Sequence, residues 1–407
     1  MRIHAYRALR PREDIVGQVA SPPYDTLDTH EAAEMAAGNP MSFLHINHSE
    51  IDLPEGTGLY DQAVYDKALE NFRKFRDEGW LVSEDRPLMY LYAQTMGEHH
   101  QTGLVCCAHI DDYIQNRIKK HEFTRKDKED DRTKHTATLN ANIGPVFLAY
   151  RGVPEIRAAL AASKQKDPVY DFVDELKVRH QVWTVENTDE IIQLFAEKVP
   201  ISYIADGHHR SASAVRVGSE RREANPNHTG NEEYNWFLAV LFAAEDLQIL
   251  PYNRVVQDLN GMTPEDFLLK IRALFTVEET TVTRPSNPRD IRMYLGGTWY
   301  ALTWPAFESS NPVELLDVSK LQNTVLDPLL GIGDPRTSER IKFIGGIRGP
   351  EELVKLVDSG EFEVAFSMYP TTVDQLMAIA DADQIMPPKS TWFEPKLRTG
   401  LLTHELS

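Results

Sequence analysis

The chain has 407 residues, 42% hydrophobic and 26% charged, which excludes a disordered tail or a fibrous repeat and leaves room for two domains or one elaborated domain. With 62 acidic side chains against 43 Lys and Arg, the net charge is −19. That balance excludes general attraction to nucleic acid or anionic membrane, though not a local basic pocket for a small anion. Cys106 and Cys107 are adjacent in the apolar run GLVCCAHI, a spacing ill suited to a disulfide, and no CxxC pair offers a zinc site. They read as buried thiols of a reducing cytosol. The N-terminal MRIHAYRALRP lacks an apolar signal core, and no run of about 18 apolar residues occurs, so a cytoplasmic, membrane-free protein is expected.

In chain order, residues 1–30 read as short extended pieces ending in SPPYDTL, where Pro22 and Pro23 force an extended entry to a turn at Tyr24-Asp25. DTHEAAEMAAGNP predicts a short helix capped by Thr29 and stopped at Gly38-Asn39-Pro40. In GLYDQAVYDKALENFRKFRDEGW, Tyr65, Leu69, Phe72 and Phe75 share one helical face. PLMYLYAQTM and TGLVCCAHIDDY predict two strands joined by the polar turn GEHHQ. The stretch from Lys119 to His135 carries almost no apolar residue and reads as a solvated surface loop before the strand GPVFLAY. A strand QVWTV, a helix TDEIIQLFAEKV and a strand ISYIA follow, then a helix from SASAVRVGSERREA and the apolar strand YNWFLAVLFAA.

From Met262 a second unit is predicted: the helix TPEDFLLKIRALF, the hairpin RMYLGGTWYALTW, and further elements to the C-terminus. This order of helices and strands indicates an α+β fold, divided into a core at 1–260 and a C-terminal α+β unit at 261–407 packing on it. The glycines of GIGDPRTSERIKFIGGIRG fit neither a Walker nor a Rossmann pattern.

The segment richest in chemistry is YIADGHHRSASA, residues 203–214. A strand ends in Asp206-Gly207, and His208, His209, Arg210 and Ser211 occupy the first turn of a helix, where unpaired N–H groups and the dipole favour an anion. Gly207 allows close approach to a phosphate, and Arg210 can grip one with its planar fork. Asp206 either holds Mg²⁺ or an acceptor hydroxyl, or simply caps the helix. Adjacent histidines point to different helix faces, so His208 and His209 do not form a chelating pair. Near the C-terminus, Pro387 and Pro388 immobilise Lys389, Ser390 and Thr391, a cluster suited to anion binding. The same segment also reads as a tail strapped down by Trp392 and Phe393.

DGHHRSASA is similar to the D-G-x-H-R-x-x-A box of the ParB/sulfiredoxin superfamily. The segments SPPYDTL (21–27), HEFTRKDKEDDRTKHTATLNANIGPVFLAY (121–150), YIADGHHRSASA (203–214) and MPPKSTWFEPKLRTGLL (386–402) together resemble a long branch of it, domain of unknown function 1015, linked to the kinases of free L-serine. One departure is Pro251-Tyr252-Asn253-Arg254, where the resemblance leads one to expect a P-T-H-R-type segment.

The resemblance implies a ParB/sulfiredoxin-like mixed α/β core with large elaborations, in which the strand–turn–helix junction cradles nucleotide phosphates. It implies that Asp25 and Tyr24 approach this cleft, that Glu122 or Asp25 acts as general base, and that His121 and Arg132 join the phosphate ligands. The expected function is a Mg²⁺-dependent kinase, with Asp206 serving the metal, that moves phosphoryl from ATP, ADP or pyrophosphate to L-serine or a similar metabolite; a homo-oligomer is compatible with this. The alternatives are a ParB-like nucleotide-dependent DNA-binding regulator, disfavoured by the net charge, and a metal-dependent hydrolase using His208 or His209 with acids from 121–131.

Overall fold

In the computed structural model, which describes residues 1–407, the chain divides into two compact units. The first comprises 1–247 together with 395–407, and the second comprises 248–394. The architecture is α+β, and no helix is long and apolar enough to cross a membrane.

The first unit is organised by a nine-stranded sheet: β1 (Ile3–His4), β2 (Met89–Met96), β3 (His99–His109), β4 (Ile118–Lys119), β5 (Val146–Tyr150), β6 (Tyr170–Val173), β7 (Arg179–Val185), β8 (Ser202–Asp206) and β9 (Trp236–Ala243). Its order is β4-β8-β5-β9-β3-β2-β7-β6, with β1 along β3. The apolar runs predicted as strands are buried on both faces in β3, β5 and β9, which accounts for their lack of alternation. Cys106 and Cys107 are unbonded thiols inside β3. Helix α3 (Thr188–Lys198) lays Ile191 and Phe195 on the sheet, each fully buried and each contributing about 1.5–3 kcal/mol.

Helix α1 (Gln62–Asp77) builds a smaller core from Phe72 and Phe75, packed with Leu9, Phe43 and Leu139. Beside it, Ala8–Pro11, Leu81–Ser83, Ala141–Asn142 and Thr403–Glu405 form a four-stranded sheet. This sheet carries the end of the chain back into the first unit.

The second unit holds a six-stranded sheet in the order Thr276–Thr280, Thr298–Thr303, Asp290–Leu295, Val364–Met368, Tyr252–Val256, Ile341–Gly345. The predicted helix 264–274 and the predicted hairpin both form there. The observed division differs from the expected one at 260/261 in two places. Tyr252–Val256 pairs with Ile341–Gly345 and Val364–Met368, so it belongs to the second unit. Thr403–Glu405 pairs with Ala8–Pro11 and Ala141–Asn142, so it belongs to the first.

Two local expectations are corrected. The polar stretch expected as a surface loop contains helix α2 (Lys126–Leu139). Its buried positions are Asp131, Thr133, His135 and Leu139, so hydrogen bonds hold its inner face where apolar periodicity was sought. The helix Thr29–Ala36 is capped by Asp28 and not by Thr29: Asp28 accepts from Glu31 N, and Glu31 reaches back to Asp28 N in a capping box.

Candidate active site

The site begins with a register. Strands β4 and β8 run parallel, pairing Ile118 with Ser202 and Lys119 with Tyr203. Parallel strands deliver whatever follows them to the same edge of the sheet, so His121-Glu122 and Asp206-Gly207-His208 emerge side by side. On its other side β8 pairs antiparallel with β5, and the register shifts between Ile204 and Asp206 as the strand gives way to the turn.

Gly207 turns the chain with φ 94° and serves as N-cap of helix α4 (His208–Ala224). No side chain accepts a hydrogen bond from the first turn of α4. The capping reading of Asp206 therefore does not hold: its carboxylate faces two cations. Arg210 Nη2 donates to Asp206 Oδ2 at 2.7 Å, and Lys396 Nζ lies 3.5 Å from Oδ1. Burial pushes the Asp206 pKa up, but Lys396, then Arg210, outweigh it and hold the group down at about 2. Arg210 also donates through Nη1 to the Pro145 carbonyl, while its Nε is buried without a partner. A buried unpaired donor of this kind costs about 1–3 kcal/mol and is a natural grip for an incoming anion.

Magnesium takes oxygen ligands in a near-octahedral array. Both Asp206 oxygens already face cations, so this carboxylate does not fit a Mg²⁺ anchor as arranged.

A small cavity of about 40 Å³ is lined by Arg210 together with Tyr24, Arg132, His135, Gly144 and Thr399, among others. This is room for a few waters and far less than a nucleotide fills. Arg132 stacks on Tyr24 with 4.3 Å from Cζ to the ring centre and donates to Asp131 Oδ2 at 2.7 Å; Asp131 Oδ1 accepts from Tyr65 at 2.8 Å. Thr399 holds the neighbouring Ser21-Pro22 turn: its Oγ1 donates to Ser21 O at 3.2 Å and accepts from Asn47 Nδ2 at 2.5 Å. Asp25 is exposed, and its charge acts on both His209 and Arg210.

The two histidines part company, as their adjacency requires. His209 Nε2 accepts from the backbone N–H of Arg125 at 3.0 Å and so pins the start of α2. His208 turns inward, with its ring centre 4.6 Å from that of His121 and the rings edge to face. Burial lowers the His121 pKa to about 4 and carries that of His208 well below the ordinary value, so both rings are neutral at pH 7.

Of the residues singled out from sequence, Asp25, His121, Glu122, Arg132, Asp206, Gly207, His208, His209 and Arg210 all belong to the first unit. The Ser211 hydroxyl, fully buried, donates to the His208 carbonyl at 2.9 Å and serves its own helix. Lys389, Ser390 and Thr391 lie in the second unit. There Lys389 sits over the Tyr252 ring at 5.6 Å, and Ser390 Oγ donates to Pro387 O at 2.6 Å. The sequence reading passed over Lys396 as a site residue, although its Pro-Lys pair stood in the same proline-rich segment.

No curated protein shows significant sequence similarity to the chain. Among solved structures, one of a free serine kinase in complex with AMP is 14% identical with a TM-score of 0.37, covering 71% of this chain and 86% of that one. A conserved hypothetical protein from Pyrococcus furiosus is 12% identical with a TM-score of 0.36, covering 73% and 95%. SbnI from Staphylococcus aureus, truncated at its C-terminus, is 11% identical with a TM-score of 0.38, covering 72% and 85%. The family described as protein of unknown function DUF1015 matches residues 3–319, well over half the chain, and the protein belongs to that family.

Proposed function

We propose that this protein is a small-molecule kinase, transferring a phosphoryl group from a nucleotide, or from pyrophosphate, to the hydroxyl of free L-serine or a similar metabolite. The observation that carries this reading is the start of α4, a helix N-terminus that no side chain caps, flanked by the Arg210 and Lys396 cations. Oriented N–H groups and fixed cations are what phosphoryl transfer asks of a protein, since the reaction depends on positioning and charge neutralisation. Asp206 holds the two cations in place before a phosphate arrives, and the unpaired Arg210 Nε supplies a further donor.

In this scheme the donor enters as its Mg²⁺ complex, with magnesium carried on the phosphates as part of the substrate. The acceptor oxygen attacks the terminal phosphorus, the bond to the bridging oxygen breaks, and the acceptor's proton passes to Asp25 or Glu122. Asp25 is exposed and within electrostatic reach of Arg210. The test is to incubate the purified protein with ATP, ADP or pyrophosphate, Mg²⁺ and serine, and to look for phosphoserine by mass spectrometry. Absence of product with every donor, together with absence of nucleotide binding, would overturn the reading.

A further inference from the structure

We propose that His121, Glu122 and His208 form a binding site for a divalent transition ion of the zinc class, at the edge where β4 and β8 end. One ligand atom from each residue lies within 4.8 Å of the others. His121 and His208 are 2% and 7% exposed, and His121 Nδ1, His121 Nε2 and His208 Nε2 all lack a hydrogen-bond partner despite being buried. Buried imidazole nitrogens in native proteins are nearly always satisfied, so three orphans on two touching rings call for a ligand. Neutral imidazole presents a lone pair, which suits a metal ion and not a phosphate.

The donor set selects the ion. Two imidazoles and one carboxylate are the ligands of zinc-class sites, whereas Mg²⁺ and Ca²⁺ prefer oxygen throughout. Bonds of roughly 2.0–2.1 Å to a tetrahedral ion bring ligand atoms to about 3.3 Å from one another, so the cluster closes by a small rotation of its side chains. Glu122 is half-buried, so the ion enters from its side, and three protein ligands leave a coordination position for water or another oxygen. The register of β4 on β8 positions these residues independently of the kinase reading. With an ion bound, Glu122 is a ligand and no longer a base, which leaves Asp25 as the proton acceptor of that reaction.

The test uses the full chain, freed of any affinity tag, stripped with chelator and titrated with ZnCl₂ and then CoCl₂ in the absence of nucleotide. The expected result is one Zn²⁺ per chain, a visible Co²⁺ absorption typical of four or five ligands, and no competition from millimolar Mg²⁺. Glu122→Gln keeps the size of the side chain and weakens Zn²⁺ binding at least about tenfold, and the double change His121→Ala with His208→Ala abolishes it. Circular dichroism establishes that each variant is folded; should the double variant not fold, Glu122→Gln and the Co²⁺ spectrum decide. Absence of stoichiometric binding, or affinity unchanged in Glu122→Gln, overturns the proposal. Metal binding with neither phosphoserine formation nor nucleotide binding keeps this site and discards the kinase, and the reverse pattern does the opposite.

Discussion

Lys396 Nζ stands 3.5 Å from Asp206 Oδ1, although the whole second unit separates the two residues in the chain. The ammonium is one of the charges that keep the carboxylate ionised despite its partial burial. Lys396→Met therefore has two expected effects: a rise in the Asp206 pKa from about 2, and a loss of nucleotide affinity of at least about tenfold, or 1.4 kcal/mol. Calorimetric titration with ATP and ADP measures the second. Unchanged affinity would remove Lys396 from the phosphate site.

Gly207 is the backbone hinge of the site. At φ 94° an L side chain is strained, and a Cβ there would meet Arg210 Cζ at 3.1 Å. Gly207→Ala is expected to cost about 1–3 kcal/mol in urea unfolding and to weaken phosphate binding by displacing the guanidinium. Wild-type values for both would show that the turn tolerates a side chain.

Asp206→Asn removes the anion between Arg210 and Lys396. Leaving a buried cation without its partner costs about 3–5 kcal/mol, so a large fall in melting temperature is expected, with nucleotide or inorganic phosphate partly restoring it. A stability equal to wild type would mean that water already satisfies Arg210.

Stability should also fall in mild acid. His135 donates from Nε2 to the Ile46 carbonyl at 3.1 Å, and burial first, then Arg132, lowers its pKa to about 3 from 6.5. Below pH 6.5 the unfolded chain takes up a proton that the folded chain refuses, so stability is lost as pH drops from 6.5 towards 3. His135→Gln is expected to reduce the pH slope of the unfolding free energy between pH 6 and 4 by about one proton, roughly 1.4 kcal/mol per pH unit. Urea titrations across that range measure it, and an unaltered slope would show that His135 is protonated in the native state.

How much of this was legible in the sequence varied with the kind of force involved. The strands at 89–96, 99–109 and 236–243 announced themselves through apolar runs. Helix 126–139 did not, because its inner face is held by Asp131 and His135 through hydrogen bonds to Tyr65 and the Ile46 carbonyl, which leave no hydrophobic period. The strand–turn–helix at Asp206-Gly207-His208 was readable from local residue types. Only the family resemblance brought His121 to it: the pairing of His121 with His208 depends on a two-residue strand, Ile118–Lys119, too short to leave a local pattern. Lys396 reaches Asp206 only because the chain end returns to the first unit, a tertiary fact absent from any local window.

Thr399 tests that return directly. Its hydroxyl links Asn47 to the Ser21 carbonyl, so Thr399→Val is expected to cost about 1–3 kcal/mol and to loosen the turn bearing Tyr24 and Asp25. Faster amide exchange at Asn47 and around residue 25 is the readout; exchange unchanged at both would mean that the turn is held by other contacts.

The return of residues 395–407 also bears on how each molecule is made. During synthesis the first 247 residues leave the ribosome long before Lys396, and the entire second unit must be translated in between. Throughout that interval the Arg210–Asp206 pair lacks its second cation, and the Ser21–Pro22 turn lacks the threonine that fastens it. The nascent chain therefore carries Asp206 with one of its two cations and a turn not yet fastened until residues 396–399 have been translated. A ribosome stalled anywhere within the second unit would display a nearly complete first unit without Lys396 beside Asp206 or Thr399 on the Ser21 turn.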